Sequence, residues 1–197
     1  MNSHELKYRR APVVLETFAD LETPLSIYLK LANGPFSYLL ESSQGDEKWG
    51  RYSIIGLPSE TILSVRGQNI EIRQKGEVVE SVETEDPMQF IESFQARYQI
   101  DHQDNLPRFY GGLVGYFGYD TVRYVEKKIK DTAPHDPLGT PDILLMISED
   151  IVVFDNIESK IQYIKLVDPD IEDSVASAKA ELQKRSKSLS SINIKQE

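Results

Sequence analysis

Leu39-Leu40-Glu41-Ser42-Ser43 is an apolar run that stops in a carboxylate and two hydroxyls. A polar loop with the only tryptophan, Trp49, follows. Gly50-Arg51-Tyr52-Ser53-Ile54-Ile55-Gly56 then opens a second apolar run with a guanidinium, a phenol and a hydroxyl. A carboxylate accepts hydrogen bonds from an ammonium group, and hydroxyls or arginine donate to a carboxylate. Two neighbouring strand ends carrying these groups around apolar walls suit a small zwitterion. The plainer alternative stays open: two sheet strands whose polar ends face water.

Other reactive constellations are missing. His4, His102 and His135 fall in arm or loop, and none stands at metal-ligand spacing with a second histidine. There is no Gly-x-Ser-x-Gly elbow on which a hydrolase triad could be built. The acid groups Glu83/Glu85/Asp86 and Asp168/Asp170 sit at turns or helix starts, where they cap and complement the helix dipole. Asp120 and Asp155 end apolar runs and read as turn-capping residues. The glycines Gly111, Gly112, Gly115 and Gly118 lack the preceding strand, following helix and Lys-Ser/Thr pair of a phosphate loop. They read instead as places of bulging or close backbone approach.

The elements that would position the two strand ends can be read from periodicity. Thr23 and Pro24 start a helix to about Ala32, with Leu25, Tyr28, Leu29 and Ala32 on one face. Ser37–Glu41 and Arg51–Leu57 are the strands in question. Thr61–Arg66, Asn69–Gln74 and Val78–Val82 form a meander with turns at Gly67-Gln68 and Lys75-Gly76. Asp86-Pro87 opens a second helix, with Met88, Ile91, Phe94 and Tyr98 on its inner face. Phe109–Val125 is a long aromatic segment whose end, from Tyr119, is ambiguous between strand and short helix. Asp142–Ser148, Ile151–Asp155 and Lys160–Val167 are strands, and a last helix starts at Asp168-Pro169. Closely spaced strands imply antiparallel pairing. The expected class is α+β, with largely antiparallel sheets and a few packed helices. Residues 1–12 read as a flexible arm, 13–185 as the domain and 186–197 as a polar tail.

Composition narrows the function. The chain has 197 residues, enough for one sizeable core or two small ones. Its net charge of −10 argues against a nucleic-acid footprint, which needs a basic patch. With no cysteine there is no disulfide, no thiolate metal site and no thiol nucleophile. No apolar run approaches a membrane span and Met1–Ala11 is polar, so a cytoplasmic protein without a membrane partner is expected.

The LLESS…GRYSIIG block resembles the N-terminal region of anthranilate synthase component I. Gly111-Gly112-Leu113-Val114-Gly115-Tyr116-Phe117-Gly118-Tyr119-Asp120, then Pro141-Asp142-Ile143 and Phe154-Asp155, are similar to the same family in the same order. The resemblance runs from about Phe18 to Arg185. It implies a lyase of tryptophan biosynthesis that makes anthranilate and pyruvate from chorismate and ammonia, the ammonia delivered from glutamine by an amidotransferase component. It implies that the chorismate site and the carboxylates for Mg2+ lie in a C-terminal half without counterpart here. No catalytic residue or metal ligand is then expected in this chain, which would be inactive alone. The part present would hold the feedback inhibitor L-tryptophan through Leu40, Glu41 and Ser42, with Arg51, Tyr52 and Ser53 facing them from the next strand. Two other readings stand beside this one: a stand-alone tryptophan-sensing module, and the N-terminal part of a sister chorismate enzyme such as aminodeoxychorismate synthase or isochorismate synthase.

Overall fold

Strand structure begins earlier than the polar N-terminus implies. In the computed structural model, which describes residues 8–19, 21–41, 50–104, 106–129, 136, 138–189 and 191, strand β1 spans Tyr8–Phe18. Residues 8–12, read from sequence as arm, are therefore in a strand. Pro12 masked the signal, because proline removes a ladder donor. Here the loss is harmless. β1 pairs antiparallel with β11 (Lys160–Val167) on one side, but with the short β7 (Tyr98–Ile100) only through Tyr8–Arg10 on the other. At Pro12 the β7 side has no strand, and the Pro12 carbonyl accepts from Gln103 Nε2 at 3.1 Å.

The chain divides into two compact units, one built from Leu6–Ser59, Tyr98–Gly112 and Ser148–Glu197, the other from Glu60–Arg97 and Leu113–Ile147. The first holds a six-stranded sheet in the order β2-β3-β10-β11-β1-β7, where β2 is Tyr38–Leu40, β3 Tyr52–Gly56 and β10 Asp150–Asp155. All its pairings are antiparallel except β1 with β7. Helix α1 (Pro24–Leu31) starts as the sequence predicts: Thr23 Oγ1 accepts from the Ser26 N–H and Ser26 returns the bond to the Thr23 N–H. Helix α4 (Ser174–Leu189) starts later than expected. Asp168 is drawn into a turn by the Asp170 N–H at 2.9 Å, and Asp173 takes a positive φ that no helix continues through. α1 and α4 pack on one sheet face, burying Ile27, Ala178 and Leu182 against Val13, Ile55, Val152, Phe154, Ile161 and Tyr163.

The second unit holds a five-stranded sheet, β6-β5-β4-β9-β8. β4 (Thr61–Arg66), β5 (Asn69–Gln74) and β6 (Glu77–Glu83) form the expected meander, with a register shift between Ile72 and Arg73. β9 (Ile143–Ser148) pairs antiparallel with β4. Helix α2 (Pro87–Arg97) buries Ile91 and Phe94 and is capped by Asp86, whose Oδ1 accepts from the Gln89 N–H at 3.0 Å. The aromatic segment resolves into β8 (Gly112–Phe117), a 3-10 turn at Tyr119–Thr121 and the one-turn helix α3 (Val122–Val125). Gly115 is a point of close approach: a Cβ there would overlap the Leu144 carbonyl oxygen of β9. The sheets and packed helices make the chain α+β and largely antiparallel.

Candidate functional site

β2 and β3 are antiparallel neighbours, with Tyr38 opposite Gly56, Leu39 opposite Ile55 and Leu40 opposite Ile54. The two strand ends noted in the sequence therefore lie side by side. Glu41 follows β2 directly and is exposed. Ser42 and Trp49 lie outside the described residues. Gly56 has a packing reason, since a Cβ there would run into the Tyr38 ring. The Tyr38 hydroxyl bonds the buried Ser148 Oγ at 2.7 Å, and burial pushes the phenol up to about 12.

The two-residue period of the strand separates the β3 candidates. Ser53 sits opposite Phe154 on the helix-covered face, 2% exposed, and its hydroxyl accepts from Asn156 Nδ2 at 3.2 Å. Asn156 Nδ2 also reaches the Gly50 carbonyl at 3.1 Å, and the Asn156 N–H reaches the Arg51 carbonyl at 2.8 Å. This fixes the entry into β3. Tyr52 sits opposite Asp155 on the other face, which it shares with Leu40 and Ile54.

Arg51 is already engaged. Its Nε and Nη2 donate to Asp155 Oδ2 at 2.9 and 2.7 Å, and Nη2 also donates to Glu158 Oε1 at 2.7 Å. The guanidinium carbon lies 5.0 Å from the Tyr52 ring centre, within cation–π range. The hydrogen bond to Asp155 raises the Arg51 pKa further. Asp155 is the hub. Its Oδ1 accepts from the N–H groups of Ile157 and Glu158, both at 3.0 Å, and caps the turn between β10 and β11 as the sequence reading expected. Burial disfavours its charge, but the bonds from Arg51 and the two backbone amides outweigh that and hold the carboxyl below its usual range. Asp120, the other aspartate read as structural, accepts from Arg123 Nε at 2.9 Å.

Above this hub lies a recess of about 290 Å3. Arg51, Tyr52, Asp155 and Glu158 line one side; Glu16 of β1 and Lys160 and Gln162 of β11 line the other. Lys160 Nζ bridges Glu16 at 3.1 Å and Glu158 at 3.0 Å. The lining carries three carboxylates against two cations, a formal charge of −1, so the cationic end of a zwitterion fits it better than the anionic end. Glu16, Glu158, Lys160 and Gln162 were not singled out from sequence. Glu16, Lys160 and Gln162 alternate with core residues, but only the pairing of Glu16 with Gln162 across β1 and β11 puts them on this face, and Glu158 comes from the turn before β11. Among the described residues no group of three His, Asp or Glu is placed to hold a metal ion. Among the described residues no helix is long and apolar enough to cross a membrane.

Fold and recess define a class: α+β, with antiparallel strand ends gathered around a small, net acidic hollow. The comparisons narrow this. No family model matches the chain. It is 57% identical over 176 residues to anthranilate synthase component 1 of Pseudomonas putida and 56% identical over 176 residues to that of Pseudomonas aeruginosa, in each case over 89% of this chain and 36% of the relative. The Aquifex aeolicus protein of the same name is 44% identical over 158 residues, 80% of this chain and 31% of the relative. The crystal structure of anthranilate synthase component I from Streptococcus pneumoniae superposes with a TM-score of 0.53 at 24% identity, over 87% of this chain and 36% of that one, which supports the fold alone. The chain is homologous to the N-terminal part of anthranilate synthase component I. It spans about a third of the length of these relatives.

Proposed function

We propose that this chain is the inhibitor-binding, regulatory portion of an anthranilate synthase component I. The intact enzyme would be a lyase of tryptophan biosynthesis that converts chorismate and ammonia to anthranilate and pyruvate, with a glutamine amidotransferase component supplying the ammonia. The observation that carries the reading is the 57% identity over 176 residues, 89% of this chain. Mg2+ would serve the intact enzyme from the remaining part of the chain. Among the described residues no three possible ligands cluster, so no residue of this chain is assigned to the metal.

The inhibitor would be L-tryptophan. Its ammonium needs a carboxylate, and two are offered: the exposed Glu41 that follows β2, and the net acidic hollow lined by Glu16, Asp155 and Glu158. Arg51 is held by Asp155 and Glu158, so it supports the Tyr52 ring and leaves the ligand carboxylate to the Ser42 hydroxyl and neighbouring N–H groups. Leu40 and Tyr52 supply apolar wall on the same sheet face. Ser53, on the opposite face, acts through Asn156 by fixing the start of β3.

The test is inhibition of the full-length enzyme. Ser42→Phe places a ring where a compact hydroxyl stands. The variant should form anthranilate at close to the parental rate and lose inhibition by L-tryptophan at concentrations at least tenfold above those that inhibit the parent. Inhibition unchanged from the parent removes Ser42 from the site.

A further inference from the structure

Among the described residues, the start of β3 is held from one side. Its ladder with β2 stops at Leu40 opposite Ile54, whereas its ladder with β10 runs on to Tyr52 opposite Asp155. Residues 50–53 therefore take their position from β10 and from the turn at 156–159 that follows it. That turn is itself fixed. Asp155 Oδ1 accepts from the Ile157 and Glu158 N–H groups, both at 3.0 Å. Ser159 stands in the left-handed region with a φ of 52°, and its carbonyl accepts from the Ala19 N–H at 2.9 Å, just past the end of β1. An asparagine in a turn ordinarily bonds its own neighbours. Here Asp155 fills that role, and the exposed Asn156 turns its groups toward β3. Its N–H donates to the Arg51 carbonyl at 2.8 Å. Its Nδ2 donates to the Gly50 carbonyl at 3.1 Å and to Ser53 Oγ at 3.2 Å, residues 106 and 103 positions away in sequence.

We propose that Asn156 is a positioning residue of the inhibitor site. Its amide sets where Arg51 and Tyr52 stand relative to Leu40 and Glu41, and so sets how tightly the inhibitor is held, without touching it. The proposal rests on the reading of these two strand ends as the inhibitor site. The ion pairs of Arg51 with Asp155 and Glu158 do not do this work alone. They fix the guanidinium at the end of a long side chain, which tolerates a shift of the backbone behind it. The two bonds from Asn156 Nδ2 act at Gly50 and Ser53, on either side of Arg51 and Tyr52. A strand end held by fewer bonds opens locally more often. A ligand that needs the closed position then binds more weakly, by the fraction of time that position is absent.

The test uses the full-length enzyme carrying Asn156→Ala and, separately, Asn156→Asp, which keeps the shape but puts an oxygen without a proton in place of Nδ2. The quantity read is the L-tryptophan concentration that halves anthranilate formation, with chorismate at the same multiple of each protein's KM. It should rise about tenfold in both variants, as the loss of one to two hydrogen bonds implies. A purely structural role would not move it. Misfolded molecules lower the rate by lowering the amount of active enzyme, and leave the half-inhibiting concentration of the rest unchanged. A value equal to the parent's in both variants overturns the proposal, whatever the rate. A rise in only one of the two overturns it as well, by assigning the effect to shape or to charge. Insoluble protein from both does the same, by making Asn156 a requirement of the fold. Ser42→Phe is measured alongside as the marker of the site itself. If Ser42→Phe escapes inhibition while both Asn156 variants are inhibited like the parent, the positioning role alone is rejected. Ser42→Phe inhibited like the parent rejects the inhibitor-site reading on which that role rests.

Discussion

Asp155 shows how one carboxylate serves a turn and a strand end at once. Two backbone amides, two bonds from Arg51 and a place at the floor of the recess converge on it. Its carboxyl is held below the ordinary value of 3.8, so its ionised form favours the folded state. That contribution is complete above the unfolded-state value and is lost as pH falls through the lower folded-state value. Asp155→Asn should therefore destabilise the protein at neutral pH by about 1–3 kcal/mol, since it leaves Arg51 short of its main partner. The difference between parent and variant should shrink as pH drops below about 4. Urea denaturation at pH 7 and pH 3.5 checks this. A difference that is constant across that range would mean that Asp155 acts by shape and not by charge.

At the scale of elements, two glycines hold sheet pairs together by absence of a side chain, and their neighbours differ. Gly115 faces backbone, the Leu144 carbonyl in β9, which cannot yield without separating the strands. Gly56 faces the Tyr38 ring, a side chain tied to Ser148 but able to rotate at the cost of that bond. Gly115→Ala should cost about 1–3 kcal/mol or more, as overpacking against a rigid neighbour does. Gly56→Ala should cost less, nearer the ~1 kcal/mol of one lost hydrogen bond. Thermal denaturation of the two variants side by side reads the order. The reverse order would mean that the Tyr38 ring is the less yielding neighbour.

For the molecule as a whole, the reading as part of an enzyme makes two further demands. The 197-residue chain incubated with chorismate, ammonia and Mg2+ should give no anthranilate fluorescence above blank; turnover that scales with its concentration would overturn that reading. Its affinity for L-tryptophan should also be lower than that of the full-length enzyme. A buried zwitterion and its indole N–H need several partners, and each one missing costs about 1–3 kcal/mol. If one or two come from the rest of the enzyme, binding to this chain should be roughly tenfold to several hundredfold weaker. Calorimetry on both proteins decides it. Equal affinities would instead favour a stand-alone tryptophan sensor.

Sequence alone determined the local rules. Thr23-Pro24 and Ser26 start α1, Lys75-Gly76 turns a hairpin, and the apolar runs at 61–66, 143–148, 151–155 and 160–167 are strands, because capping and side-chain period act over a few residues. That the runs 37–41 and 51–57 are neighbouring strands was also legible, from two apolar runs that carry complementary polar groups, but the register that sets Leu40 opposite Ile54 was not. Tertiary structure decided what depends on register. It put Tyr52 and Ser53 on opposite faces, turned Arg51 toward Asp155 and Glu158, and brought Glu16 together with Lys160 and Gln162, from two strands more than a hundred residues apart in sequence, at one recess. It also made a strand of Tyr8–Phe18 despite Pro12, because the missing N–H falls where no neighbouring strand needs it. A one-residue change of register would reverse every one of these faces, and long-range pairing, which sets register, is not written in any local stretch of the chain.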